Sequence, residues 1–261
     1  MAASAALAVL AQPAAAAAHK PARPAPTTST TRPPATTSTT VRPTTTTTVA
    51  AQPSRTPLTQ CSDNSAVVAQ MVTPENALIA VCTTVGNWTP SAVYNLLKPN
   101  ALDLGVIGPH LTIQISTSQP SSTGASASCC DAAGNYYGFG AVMSLNPSST
   151  SSFASAPEAV LTHEYGHAWT NYWRYTNTAN AGSWSAYDNM RWANADGSQI
   201  LAQNAKLNSS YNWMNYEMAA DDYRRLFGTA TAQSQLAFLN SGVPDSQQVS
   251  GLASWFLNSF R

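Results

Sequence analysis

Apolar and polar side chains follow a helical period through Val160–Trp173, which reads VLTHEYGHAWTNYW. The apolar positions recur three and four residues apart, as expected for one face of an α-helix that packs against a core. They are Leu161, Tyr165, Ala168, Trp169 and Tyr172. Just upstream, Ser155 and Glu158 have the spacing of a capping box, and Pro157 falls in the first turn, where it needs no N–H partner. The pattern therefore predicts a buried helix that begins after an N-cap at Ser155.

The polar positions of this helix carry a group of side chains with metal chemistry. His163 and His167 lie four residues apart and so share a face, from which both imidazoles can reach one metal ion. Glu164 follows the first histidine, about 100° further round the helix, close enough to contact a water at that metal. This H-E-x-x-H arrangement combines two nitrogen ligands with a carboxylate that can act as a general base. The alternative is a chance match in which both histidines are ordinary helix residues.

A second helical pattern supplies candidates for a third ligand. The chain has four histidines and none follows His167, so a downstream protein ligand must be a carboxylate. The only glutamate after Glu164 is Glu217, in the predicted helix Trp213–Gly228, with the glycine as its C-cap. Asp221, one turn later, can accept a hydrogen bond from the N–H of a ligand histidine that faces away from the metal. The alternative for both acids is a solvated helix face.

The two motifs together resemble a known family of metallopeptidases. HEYGH, followed by a second helix reading EMAADDYR, resembles the gluzincin zinc peptidases, most closely the branch typified by anthrax lethal factor. The second motif of that branch has the form E-x-x-A-[ED]-x-[FY]-R. The resemblance implies that His163, His167 and Glu217 bind Zn²⁺. It also implies Glu164 as the catalytic base and Asp221 as the acid that orients a ligand.

The chain departs from that branch at two points. About fifty residues separate His167 from Glu217, which predicts an insertion between the two helices. The tyrosine expected two helical turns before the glutamate has no match in register, because Ser210 occupies that position and Tyr211 follows it. Tyr211 is therefore the expected donor to the oxyanion, with Tyr216 as the alternative.

The remaining patterns predict an α+β fold. Ala77–Thr84 and Leu111–Thr117 read as short strands, and Thr89–Leu97 reads as a helix. Tyr136–Leu145 alternates apolar residues toward one side and contains two glycines. It predicts an edge strand that can bind an extended substrate, or alternatively an ordinary core strand. Together with the resemblance, these elements predict a zincin-like metallopeptidase domain with a small twisted sheet, the H-E-x-x-H helix and a mostly helical C-terminal half.

Composition divides the chain into three parts. Residues 1–18 are apolar and alanine-rich and resemble a signal peptide that lacks a basic start. Residues 19–57 are dominated by Thr, Pro, Ala and Ser, which predicts a disordered, extended linker. Residues 58–261 have the length of one domain, the zinc metallopeptidase-like part. The leader, the linker and the cysteines together lead us to expect a secreted or cell-envelope-associated protein. The leader is too short and too interrupted for a membrane span.

Charge and cysteines narrow the class further. Charged residues make up 9% of the chain, against about 25% in typical domains, and the net charge is zero, which argues against nucleic-acid binding. Four cysteines predict two disulfides in an exported protein. Because Cys129 and Cys130 are adjacent, we expect each to pair with one of Cys61 and Cys82. A thiolate metal site is the alternative, although no C-x-x-C spacing supports it.

These features predict an exported zinc endopeptidase that hydrolyses a protein or peptide substrate, with Glu164 as the general base toward a zinc-activated water. The alternative is a non-catalytic, envelope-associated binding or adhesion module that keeps the peptidase fold. Glu164 separates these two functions, because retention of zinc alone does not require that carboxylate. His110 is expected to be a structural histidine before a strand.

Overall fold

The computed structural model describes residues 55–117, 124–130, 136–176, 184–192, 214–235 and 244–260. The predicted leader and nearly all of the predicted linker lie outside these residues. Within them the chain forms an α+β domain with a small mixed sheet, which confirms the α+β class of the prediction. Across the described ranges, no helix combines the length and the apolar character needed to span a bilayer.

The described sheet has five strands. They are β1 (Ala69–Val72), β2 (Leu78–Val81), β3 (Leu111–Ile115), β4 (Gly124–Cys130) and β5 (Tyr136–Leu145). Their order is β1-β2-β3-β5-β4, with β2, β3 and β5 mutually parallel and each outer strand antiparallel to its neighbour. The register aligns Ile79, Ile113 and Met143 across the three inner strands, and all three side chains are buried. Parallel strands usually carry such apolar residues because both of their faces are covered.

The place of β5 corrects one expectation. Its bounds match the predicted strand, and its alternate residues Phe139, Ala141, Met143 and Leu145 are buried in the core as predicted. However, β5 lies between β3 and β4, so the prediction of an edge strand is wrong. The edge strand next to β5 is β4, whose sequence GASASCC has no apolar alternation from which a strand could be predicted.

Most of the helical residues follow the sheet in the chain. The helices are α1 (Pro90–Leu97), α2 (Leu104–Ile107), α3 (Ser152–Ser155), α4 (Pro157–Thr176), α5 (Ser185–Trp192), α6 (Asn215–Phe227), α7 (Ala230–Ser234) and α8 (Leu252–Trp255). The described residues of the C-terminal half are therefore mostly helical, as predicted. α1 is also the predicted helix, since Thr89 accepts a hydrogen bond from the backbone N–H of Ala92 at 3.1 Å and so caps it.

The start of α4 differs from the predicted capping box. The helix begins at Pro157, but Ser155 is the last residue of α3, and its hydroxyl donates to a carbonyl within that short helix. Ala156 separates the two helices with φ −144° and ψ 62°, because a proline disfavours helical geometry in the residue before it. Glu158 does not complete the predicted capping box, because its carboxylate accepts a hydrogen bond from Nδ2 of Asn100 at 2.9 Å.

The disulfide pairing also differs from the prediction. Cys61 bonds to Cys82, with their Cα atoms 6.3 Å apart. Cys82 directly follows β2, whereas Cys129 and Cys130 end β4. Two strands lie between β2 and β4, and at about 4.8 Å per strand the backbones are roughly 14 Å apart. Because a disulfide needs Cα atoms within about 7 Å, a bond from Cys82 to β4 is excluded.

Candidate metal centre

α4 is the central helix of the domain and is buried throughout Ala159–Thr170. Two residues of its predicted apolar face also form hydrogen bonds that fix the helix about its axis. The hydroxyl of Tyr165 donates to the carbonyl of Leu102 at 2.6 Å, and Nε1 of Trp169 donates to Oδ2 of Asp103 at 2.9 Å. The apolar face is thereby held against the segment after α1, and the two histidines are directed toward α6.

The same segment also holds α6. Tyr223 is fully buried, and its hydroxyl donates to the carbonyl of Asn100 at 3.0 Å and accepts from the backbone N–H of Leu102 at 2.8 Å. The ring of Tyr223 lies 5.5 Å from that of Trp169, measured between centroids. Residues 100–103 therefore bind both helices of the motif and fix one relative to the other.

The predicted ligands on these two helices meet at one place. Nε2 of His163 lies 3.2 Å from Oε2 of Glu217, and Nε2 of His167 lies 3.5 Å from Oε1 of the same carboxylate. Zinc bonds of about 2.0–2.2 Å at tetrahedral angles place neighbouring ligand atoms about 3.3–3.5 Å apart, so these distances fit a metal ion. Across the described residues no further His, Cys, Asp or Glu joins this group.

The group is withdrawn from solvent. The exposed fractions are 8% for His163, 5% for Glu164, 6% for His167 and 3% for Glu217. Burial alone would lower the pKa of His163, but neighbouring carboxylates outweigh burial and raise that pKa to about 10. These carboxylates belong to Asp221, Glu217 and Glu164, so the predicted base lies within electrostatic reach of the first histidine. Buried acids at this density favour a cation among them.

Asp221 lies beside His163, a candidate ligand, as the sequence predicts. Its Oδ1 is 3.7 Å from Nδ1 of His163, the ring nitrogen opposite the one that faces Glu217. This separation exceeds hydrogen-bond length, so the contact here is an attraction between charges. The same oxygen accepts a hydrogen bond from Nε of Arg224 at 2.7 Å. Because Glu217 and Asp221 are both buried, the alternative of a solvated helix face is wrong.

A second buried charge pair on α6 has no counterpart in the sequence predictions. Oδ2 of Asp222 lies 2.9 Å from Nε of Arg191 on α5 and accepts a hydrogen bond from the hydroxyl of Tyr187 at 2.6 Å. Ser246 donates to Oδ1 of the same carboxylate at 2.5 Å. These contacts join the insertion helix α5 and the segment before α8 to α6. The one sequence feature that could have indicated this pair is the adjacency of Asp221 and Asp222 in a chain that contains few acids.

The candidate donors to an oxyanion are only partly described. Tyr211 lies outside the described residues. The ring centroid of Tyr216 is 6.0 Å from that of His167, and burial together with Glu217 raises the pKa of the Tyr216 phenol, which therefore stays protonated at neutral pH. His110 lies directly before β3, as expected, and is not part of the ligand group.

Comparison with known proteins identifies no relative. No family, no curated protein and no solved structure matches the chain. The assignment of function therefore depends on the chemistry of the site.

Proposed function

We propose that this chain is a zinc-dependent endopeptidase similar to the gluzincins, and most similar to their lethal factor branch. The observation that carries the proposal is the buried group formed by His163 and His167 of α4 and Glu217 of α6. Catalytic zinc sites have three protein ligands and one open position, and two histidines with one glutamate is a ligand set of zinc peptidases. Glu164 adds the carboxylate that hydrolysis requires and metal retention does not.

The chain's own residues account for the proton transfers and the orientation of the ligands. Bound zinc would supply a Lewis acid and lower the pKa of a water toward about 7. Glu164 would accept the proton of the attacking water and later donate it to the leaving amine. Asp221 would keep the His163 imidazole turned so that Nε2 faces the ligand group. Tyr211 or Tyr216 would donate a hydrogen bond to the oxyanion.

The edge of the sheet offers a place for an extended substrate. β4 is one of the two outer strands of the described sheet, and α4 contacts both β4 and β5. A peptide that pairs with the outer side of β4 would therefore lie next to the helix that carries Glu164. Such pairing is made through backbone hydrogen bonds, which bind many sequences with limited side-chain preference. β4 thus takes the role that the sequence alone assigns to β5.

The disulfide supports the proposal that the protein is exported. Bonds such as Cys61–Cys82 form and persist in oxidising compartments and are rare in a reducing cytosol. The Thr/Pro-rich residues 19–57 would then act as a spacer between the domain and a surface. The substrate is accordingly expected to be an extracellular or envelope protein.

The proposal is tested by metal content and cleavage together. Protein purified without chelator should contain one zinc per chain by elemental analysis and should cleave members of an unbiased peptide library. A chelator should abolish cleavage, and added zinc should restore it. Tight zinc binding without cleavage of any library member would instead favour the binding or adhesion module. A chain that takes up no zinc at micromolar concentration would overturn both the site and the activity.

A further inference from the structure

Gly166, the residue just before His167, lies where α4 and α6 approach each other closely. A Cβ atom at Gly166 would lie 2.7 Å from the carbonyl oxygen of Ala220, 3.0 Å from its Cα and 3.1 Å from Cβ of Tyr223. The first two are backbone atoms of α6, which cannot rotate away as the end of a flexible side chain could. Carbon atoms in contact prefer about 3.5–4.0 Å, so a side chain at Gly166 requires α6 to move by about half an ångström.

The requirement for glycine here is one of space. Gly166 has no positive φ, since Gly86 and Gly251 are the glycines with φ above zero in the described part of the chain. Glycine is also a poor helix former, less favourable than alanine within a helix. Local conformation would therefore favour alanine at this position, and only the contact with α6 explains the glycine.

The close contact between α4 and α6 lies within one helical turn of a candidate ligand on each helix. Gly166 comes three residues after His163, and Ala220 comes three residues after Glu217. Three residues of α-helix span about 4.5 Å, so a shift of α6 at Ala220 reaches the glutamate within one turn. Metal–ligand distances tolerate about ±0.2 Å, which is less than the expected shift.

We propose that Gly166 is a positioning residue for the metal centre, because its missing side chain sets the helix separation at which Glu217 completes the ligand set. This inference rests on the zinc site proposed above. Gly166 itself touches no metal or substrate. Its effect should therefore appear in zinc affinity and coordination, and it should disappear when Glu217 is absent.

The first test compares Gly166→Ala with Gly105→Ala. Gly105 is a matched control because it also lies in a helix, α2, and a Cβ atom there meets nothing within 4 Å. Zinc affinity is measured on chelator-stripped protein by competition with a chromophoric chelator. Gly166→Ala should weaken zinc binding by about 10–100-fold, the range found when a residue that orients a ligand is removed, and the control should match wild type. The visible spectrum of the Co²⁺-substituted protein should change only in Gly166→Ala.

A double-mutant cycle distinguishes failure of this inference from failure of the zinc site. If Gly166 acts through Glu217, then Gly166→Ala should change zinc affinity by less than about threefold in a Glu217→Ala background. An equal loss in both backgrounds would overturn the positioning role while leaving the site intact. Full zinc affinity in Glu217→Ala alone would overturn the site itself.

A second variant covers the case in which Gly166→Ala does not fold, as judged by circular dichroism of the metal-free protein. Ala220→Ser adds one atom to the fully buried residue of α6 whose backbone lies nearest to Gly166. It should also weaken zinc binding in a manner that depends on Glu217. Wild-type affinity in folded Gly166→Ala, or in Ala220→Ser where the first variant is unfolded, would overturn the inference.

Discussion

Arg224 donates a hydrogen bond from Nε to Oδ1 of Asp221 at 2.7 Å, and both side chains are buried. The guanidinium is itself held by the carbonyl of Ala232, to which Nη1 donates at 2.7 Å. Burial alone would raise the pKa of Asp221, but His163 and Arg224 outweigh burial and lower it, so the group is a carboxylate at neutral pH. A chain of contacts thus runs from the start of α7 through the arginine and the aspartate to a candidate ligand.

Asp221→Asn should weaken zinc binding by about 10–100-fold, because the amide keeps the shape of the side chain but loses the charge that attracts the His163 imidazole. Asp245→Asn is the matched control, since Asp245 is also paired with an arginine, Arg225, but lies outside the ligand group. The measurement is zinc affinity of the chelator-stripped proteins. Equal affinity in Asp221→Asn and wild type would show that Asp221 does not orient the histidine.

Glu164→Gln should separate catalysis from metal binding. The residue is not a ligand, so zinc affinity should stay close to that of wild type, whereas loss of the general base should lower peptide cleavage by about 10²–10⁴-fold. Glu75→Gln serves as the control, because Glu75 pairs with the hydroxyl of Tyr94 at 2.9 Å, outside the ligand group. Cleavage rates and zinc content are measured on the same preparations. Unreduced cleavage in Glu164→Gln would contradict the proposed mechanism.

Glu217→Ala should lose more zinc affinity than Asp221→Asn, because it removes a ligand and not a neighbour of one. Asp188 lies between the two motif helices in the sequence and is the next candidate for the third ligand if Glu217→Ala keeps full affinity; its position on α5 allows a direct comparison. Oδ2 of Asp188 accepts a hydrogen bond from Nδ2 of Asn215 at 3.0 Å, and this acid is outside the ligand group. Asp188→Asn should therefore bind zinc as wild type does. If Asp188→Asn lost zinc affinity and Glu217→Ala kept it, Asp188 would be the third ligand in place of Glu217.

Peptide mapping under non-reducing conditions should recover Cys61 and Cys82 in one linked fragment. Replacement of both by serine should lower the free energy of unfolding by about 3 kcal/mol, because the bond closes a loop with a sequence separation of 21 residues. Urea unfolding of the folded variant, compared with wild type, measures the difference. A linkage of Cys82 to Cys129 or Cys130 would contradict the structure.

The sequence predicts the features that depend on local spacing. The helix around His163 and His167 follows from a periodic pattern, and the i, i+4 spacing alone aligns the two ligands. Glu217 is identified for a different reason, namely that it is the only glutamate after Glu164 and lies in the second motif, which resembles that of the gluzincins. The geometry of the candidate centre was therefore largely predictable.

Features that depend on distant parts of the chain were not predictable in the same way. The sheet order that makes β4, and not β5, an edge strand is set by packing and not by any local signal, and so is the pairing of Cys61 with Cys82. Gly166 reads as an unremarkable residue inside a motif until the backbone of α6 is placed against it. Nothing in the sequence marks Asp222 as buried, because a buried acid cannot be recognised before its partners are known.

The buried pair of Asp222 and Arg191 leads to the last prediction. Asp222→Asn should lower the free energy of unfolding by about 3–5 kcal/mol, because it leaves the charge of Arg191 buried without its partner. Asp222→Leu combined with Arg191→Met removes both charges and should cost less than the sum of the two single changes.

Tyr187→Phe and Ser246→Ala each remove one hydrogen bond to the carboxylate of Asp222 and should cost about 0.5–1.5 kcal/mol. Urea unfolding measures all variants, with Asp245→Asn as a partly exposed ion-pair control expected to cost under about 1 kcal/mol. An Asp222→Asn protein as stable as this control would contradict the role of the pair in joining α5 to the helix that carries Glu217.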